Sequence, residues 1–161
     1  MHFLWGAVTP DIPLTTLSIV SPLYFRTQGM SLSESMPYIF ETLYFQNPWW
    51  ILAHHLFHAP LLLLLYALVL YFLSKNRIAY WLLWFVAGCG LHTFIDILTH
   101  YDDGPLVLFP FNWTFRVYSI RYWDRAHGGA WFMWLELALN LVLLGYLIVP
   151  WLVKKVKSRK S

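Results

Sequence analysis

The chain has 161 residues, of which 59% are hydrophobic, 20% aromatic and only 12% charged. Soluble domains carry about 25% charged residues, so a chain this apolar cannot cover itself with polar groups in water, and lipid is its better solvent. The formal net charge is +3, but Lys154, Lys155, Lys157, Arg159 and Lys160 crowd together directly after an apolar run. That is the pattern of a cytoplasmic membrane anchor rather than of a nucleic-acid patch, and no nucleic-acid partner is expected.

The first apolar segment, Phe3 to Phe25, is broken by Thr9-Pro10-Asp11-Ile12-Pro13. Two prolines and a carboxylate at its middle predict an interrupted or re-entrant segment, with a kinked span as the alternative. No basic region precedes it and no small-residue cleavage site follows, so a removable leader is not expected. Ser31 to Phe45 has the spacing of an amphipathic interfacial helix, with Leu32, Met36, Ile39 and Leu43 on one stripe. Three apolar runs of roughly 20 or more residues then meet the length needed to cross a bilayer as helices. They are Trp49 to Leu73, opened by the N-cap and first-turn proline of Asn47-Pro48, then Ile78 to His100, then Ala130 to Val153. The connection 101–129 carries Gly104-Pro105, Pro110 and many aromatics, which suits an ordered cap. The expected fold is an all-α polytopic transmembrane bundle of three clear spans plus the interrupted N-terminal segment. Residues 1–153 form one transmembrane domain and residues 154–161 a basic tail.

Charge sets the orientation. Lys75 and Arg77 lie in the short turn between the first two clear spans, and with the five basic tail residues they fall on one side. Arg26, Arg116, Arg121 and Arg125 fall on the other. The positive-inside rule predicts a cytoplasmic C-terminus in an inner membrane and an outward-facing 101–129 connection.

The densest chemical signal is Leu91-His92-Thr93-Phe94-Ile95-Asp96-Ile97-Leu98-Thr99-His100. His92, Asp96 and His100 stand at i, i+4 and i+8, so a helix presents all three on one face. A carboxylate inside a span costs several kcal/mol unless it is paired or bound to a metal, and imidazole with carboxylate is a donor set for divalent zinc or manganese. A hydrogen-bonded polar stripe or a proton relay is the alternative use. His54 and His58 repeat the i, i+4 spacing in the preceding span, at a depth where they can meet the first set, while His55 points away and reads as interfacial or as a supporting residue. Asp11, in Gly6-Ala7-Val8-Thr9-Pro10-Asp11, is a further candidate ligand or a simple helix cap. In the outward connection, Asp124 and His127 stand three apart beside Arg121 and Arg125, a constellation for acid–base work and anion binding or for a salt-bridge cluster. The single cysteine, Cys89, excludes an intrachain disulfide and a cysteine metal site. The absence of Gly-x-Ser-x-Gly, phosphate-loop and Cys-x-x-Cys-His motifs argues against serine hydrolysis and covalent haem.

The run His92-x3-Asp96-x2-Thr99-His100, followed by Asp103-Gly104-Pro105, Pro110 and Tyr122-Trp123-Asp124-x2-His127-Gly128, resembles a family of bacterial inner-membrane proteins known as membrane-bound metal-dependent hydrolases. His2, Gly6 to Asp11 and His54 to His58 stand in the order of that family's early His, Gly-x3-Pro-Asp motif and His-bearing helix. The likeness is densest over residues 91–129. More distantly, the His/Asp pattern is similar to zinc-dependent phospholipase C. The resemblance implies a membrane-embedded hydrolase acting on a lipid-like or amphipathic ester or phosphoester at the outer interface. His92, Asp96, His100, His54, His58 and Asp11 would hold one or two divalent ions. Asp103, Asp124 or His127 would serve as base or orienting group, and Arg121 would contact a phosphate. The alternative is a non-catalytic subunit of a larger membrane complex or homo-oligomer. Ten Trp, ten Tyr and twelve Phe exceed what two interfacial belts need and suit packing on partner helices or pigments. An ion or proton pathway is a third possibility, for which so few spans would have to oligomerise.

Overall fold

A computed structural model describes residues 1–117, 124 and 129–158; for residues 143, 144, 147 and 149–158 it describes the backbone alone. The described chain is mainly helical, with no strand among the described residues, in agreement with an all-α fold. The helices are α1 (His2–Val8), α2 (Asp11–Thr27), α3 (Leu32–Pro37), a π-helical stretch Tyr38–Leu43, α4 (Tyr44–Gln46), α5 (Pro48–His55), α6 (Pro60–Phe72), α7 (Arg77–Thr99) and α8 (Gly129–Ser158).

Among the described residues, α7 alone is an unbroken helix long and apolar enough to cross a membrane. The N-terminal segment is interrupted where the two prolines predict, and α1 and α2 meet at 43°. The run Trp49 to Leu73, expected as one span, is instead bent by 46° between α5 and α6. The cause is local: Ala59, which precedes Pro60, is extended (φ −84, ψ 120) because the proline ring excludes the helical region for its neighbour. Pro60 then opens α6, as Pro48 opens α5 behind an Asn47 cap whose Oδ1 accepts from the Trp49 and Trp50 amides at 2.9 and 3.3 Å.

Two glycines bring α1 onto α7. A Cβ at Gly6 would lie 1.9 Å from the Phe85 carbonyl oxygen, and one at Gly88 would lie 2.1 Å from that of Phe3. Only hydrogen fits at either position, so the two backbones cross in contact, as small residues permit between membrane helices. α6 packs antiparallel along α7, with Leu63, Val86 and Cys89 buried between them.

The segment 31–46 is helical, as its spacing predicts, and Ser31 caps it with Glu34 accepting from the Ser31 amide and hydroxyl at 2.9 and 2.7 Å. These two bonds hold the Glu34 carboxyl below the ordinary carboxylate range. The expected stripe is divided, however. Ile39 is fully buried and Leu43 partly so, whereas Leu32 and Met36 are exposed. The π-helical turns after Pro37 change the angular step per residue, so a stripe drawn at 100° per residue drifts off its face. In the connection after α7, Leu106 and Phe109 bury against Ile51 and Ala59, and the Leu61 amide donates to the Val107 carbonyl at 3.2 Å. The Phe109–Pro110 peptide is cis.

Two substitutions test this packing. Gly88→Val drives a branched side chain into the Phe3 carbonyl, costing about 1–3 kcal/mol. Hydrogen exchange of amides 2–8 should rise while α6 stays protected. Leu106→Ala, at a fully buried position, should lower unfolding stability by about 2–5 kcal/mol, measured by denaturant titration in detergent.

Candidate metal centre

Three side chains from two elements converge. His92 and Asp96 stand one turn apart on α7, and His58 reaches them from the bend between α5 and α6. One ligand atom from each lies within 4.8 Å of the other two, a group that could hold a metal ion. His58 Nε2 is 2.6 Å from Asp96 Oδ2, and His92 Nε2 is 3.2 Å from the same oxygen. The bend comes just after His58: the Ala59 amide still donates to the His55 carbonyl at 3.0 Å, and the His58 ring stays 4.5 Å from that of His54.

The ring of His92 carries the most information. Its Nδ1 lies 2.9 Å from the Ala7 carbonyl oxygen, an acceptor only, so Nδ1 carries the proton. In the neutral ring Nε2 is then a bare lone pair. It faces two carboxylate oxygens, Asp96 Oδ2 at 3.2 Å and Asp11 Oδ1 at 3.4 Å. That arrangement is satisfied either by a metal ion between the nitrogen and the carboxylates or by a proton on Nε2, which makes the ring an imidazolium paired with them. A backbone carbonyl holding the far nitrogen of a histidine is also a common support for a metal-ligating imidazole.

The other oxygen of Asp96 faces the remaining member of the α7 stripe, with His100 Nε2 3.9 Å from Asp96 Oδ1. His100 is the C-cap of α7 in an extended conformation (φ −108, ψ 120), so it has left the helix on which its spacing was read. Its Nδ1 lies 3.2 Å from Asp103 Oδ1. Burial opposes charge on this ring, but the hydrogen bond to Asp103 and the negative charges of Asp103, Asp96 and Asp11 outweigh it and raise the His100 pKa.

Of the residues expected at the site, His58, His92 and Asp96 form the group, Asp11 adjoins it through His92, and His100 and Asp103 form a pair on the far side of Asp96. His54 lies outside the three-ligand group, its ring 4.5 Å from that of His58 and 5.5 Å from that of Tyr44. His55 is not interfacial. It is fully buried against Phe109, with Nδ1 donating to the Ile51 carbonyl at 2.8 Å. His2 lies far from the group, stacked on Trp81 with ring centroids 5.1 Å apart. Trp81 precedes His92 by eleven residues on α7, about 16 Å at 1.5 Å per residue. Asp124 stands before α8, its carbonyl accepting from the Gly129 amide at 2.9 Å. Arg121, Arg125 and His127 lie outside the described residues.

His58 and Asp96 open onto a cavity of about 840 Å³ that Asp11, His54, His100 and Asp103 also line, with Leu14, Phe40, Phe45 and Ile95 giving it apolar walls. Two supports of this cavity escape sequence reasoning. The Tyr44 hydroxyl donates to the Asp103 carbonyl at 2.5 Å, and burial raises the Tyr44 pKa so that it stays a donor. Arg116 Nε donates to the Gly104 carbonyl at 2.8 Å, with its guanidinium 5.3 Å from the Phe45 ring. Neither residue sits in a motif; both act across long sequence separations through backbone acceptors that could be anywhere.

Comparison with protein-family models, with curated proteins and with solved structures returns no match.

The His100–Asp103 pair makes a test in metal-free protein. Asp103→Asn removes the charge that raises the His100 pKa, so the ring should titrate at lower pH, read by NMR of its carbon-bound protons. The sign for stability follows. Because folding raises this pKa, the pair's contribution is fully present below the ordinary histidine value near 6.5 and fades as pH rises through the raised one. In Asp103→Asn that fade should shift to lower pH.

Proposed function

We propose that the chain is an integral membrane metal-dependent hydrolase that acts on an amphipathic ester or phosphoester at the outward face of the inner membrane. The observation that carries this reading is the His92 ring, whose Nδ1–H is committed to the Ala7 carbonyl while its Nε2 faces both Asp96 and Asp11. In this reading α5–α6, α7 and α8 cross the bilayer and α1–α2 is the interrupted segment. The Lys75–Arg77 turn and the tail lie in the cytoplasm. The likeness to membrane-bound metal-dependent hydrolases supports the same assignment through the residues that reach the cavity.

His58, His92 and Asp96 would hold the ion, zinc or manganese by the chemistry of two imidazoles and a carboxylate, with Asp11 completing the donor set. Such an ion supplies Lewis acidity and brings the pKa of a water toward about 7. The chain does the rest. Ala7 fixes the tautomer of His92. Asp103 holds His100 by Nδ1, which turns Nε2 toward Asp96 and leaves it able to take up or return a proton there. Tyr44 anchors the Asp103 backbone, so the pair keeps its place. Leu14, Phe40, Phe45 and Ile95 give the cavity apolar walls that suit an apolar chain beside the cleaved bond.

The full-length protein purified in mild detergent should retain zinc or manganese at near one ion per chain by elemental analysis. His92→Ala and Asp96→Ala should each lower retention at least about tenfold, while His2→Ala, remote from the group, should leave it unchanged. A folded wild type that arrives metal-free and takes up no added zinc would remove the proposal. Retained metal with no turnover of ester or phosphodiester lipids would confine it to binding.

A further inference from the structure

On the reading that α8 crosses the bilayer, we propose that two copies of the chain associate along α8 through a seam centred on Asn140, whose side-chain amide pairs with that of Asn140 in the second copy. Between Gly129 and Val142 the helix is apolar except for Glu136 and Asn140. Glu136 lines the cavity with Phe132. Asn140 does not. It is exposed and has no hydrogen-bond partner among the described residues. It lies eleven residues beyond Gly129, about 16 Å along the axis and so near the middle of a hydrocarbon core about 30 Å thick. Lipid tails offer neither donor nor acceptor at that depth, and an amide placed there needs another protein group.

The occupant is a second copy because the amide is self-complementary. One Asn supplies both a carbonyl acceptor and an NH₂ donor, so a two-fold axis beside Asn140 satisfies both partners with one residue. The surroundings fit. Met133 and Leu137 precede Asn140 by seven and three residues, the spacing of a coiled-coil seam, and both are exposed, at 49% and 46%. This stripe is uncharged; Asn140 stands one turn beyond Glu136, about 40° around the helix, and Met133 and Leu137 lie on the side of Asn140 turned away from Phe132, so a second copy would approach α8 from that side. No other helix packs along α8 among the described residues. The seam would therefore also steady the wall that α8 contributes to the cavity.

The test is energy transfer between donor- and acceptor-labelled full-length chains reconstituted in phosphatidylcholine vesicles at a high lipid-to-protein ratio. Wild type should show transfer that unlabelled chain competes away. Asn140→Leu should weaken association about tenfold, Asn140→Gln should retain most of it, and Leu135→Ala on the opposite face should leave it unchanged. Circular dichroism and bound metal, read on the same samples, establish that each variant is folded. They also separate the fate of the seam from that of the metal centre, and protease access to the tail separately reports whether α8 spans. A monomeric wild type, transfer unchanged in Asn140→Leu, or loss in Leu135→Ala as large as in Asn140→Leu would each overturn the proposal.

Discussion

One backbone carbonyl, at the end of a seven-residue helix, fixes the ring on which the whole site turns. The Ala7 oxygen takes the proton-bearing nitrogen of His92 and thereby dictates what the opposite nitrogen can be. That bond exists only because α1 lies in backbone contact with α7, and the contact exists only because positions 6 and 88 lack a Cβ. The chain of cause runs from two hydrogen atoms to a helix crossing, from the crossing to the hold on Nδ1, and from that hold to an Nε2 aimed at two carboxylates.

A second layer steadies the opposite side. His100 has left the helix, so helical geometry no longer fixes its ring, and Asp103 does so instead. Asp103 lies in irregular chain and is tied down in turn by Tyr44, while Arg116 secures Gly104 beside it. These ties come from the short helical run 31–46 and from the cap, both outside the long apolar helices. Segments outside the long apolar helices thus finish a site whose candidate ligands come from α7 and from the turn between α5 and α6.

Much of this could be read from the residues, and the misses have identifiable causes. Three members of the site were legible because helical spacing sets His92 and Asp96 on one face and because a carboxylate inside an apolar run demands a partner. The prolines at 10 and 13 announced the break between α1 and α2. Pro60 carried the same message but was absorbed into an apolar run long enough to cross a bilayer, and so the bend between α5 and α6 went unread. The stripe through Leu32, Met36, Ile39 and Leu43 failed because π-helical turns do not keep the 100° step. His55 looked polar and peripheral, yet its one hydrogen bond within its own helix lets it serve as a core residue. The roles of Ala7, Tyr44 and Arg116 run through backbone atoms and leave no signature in residue type.

The bend between α5 and α6 also sets a depth. On the spanning reading, α6 has 13 residues and accounts for about 20 Å of a hydrocarbon layer about 30 Å thick. His58, just before its first turn, therefore rests some 10 Å beneath the outer boundary. A bond in an aqueous solute would have to shed its hydration to descend that far. A linkage already carried at that level by its own fatty chains would arrive by lateral diffusion, with no such descent to make.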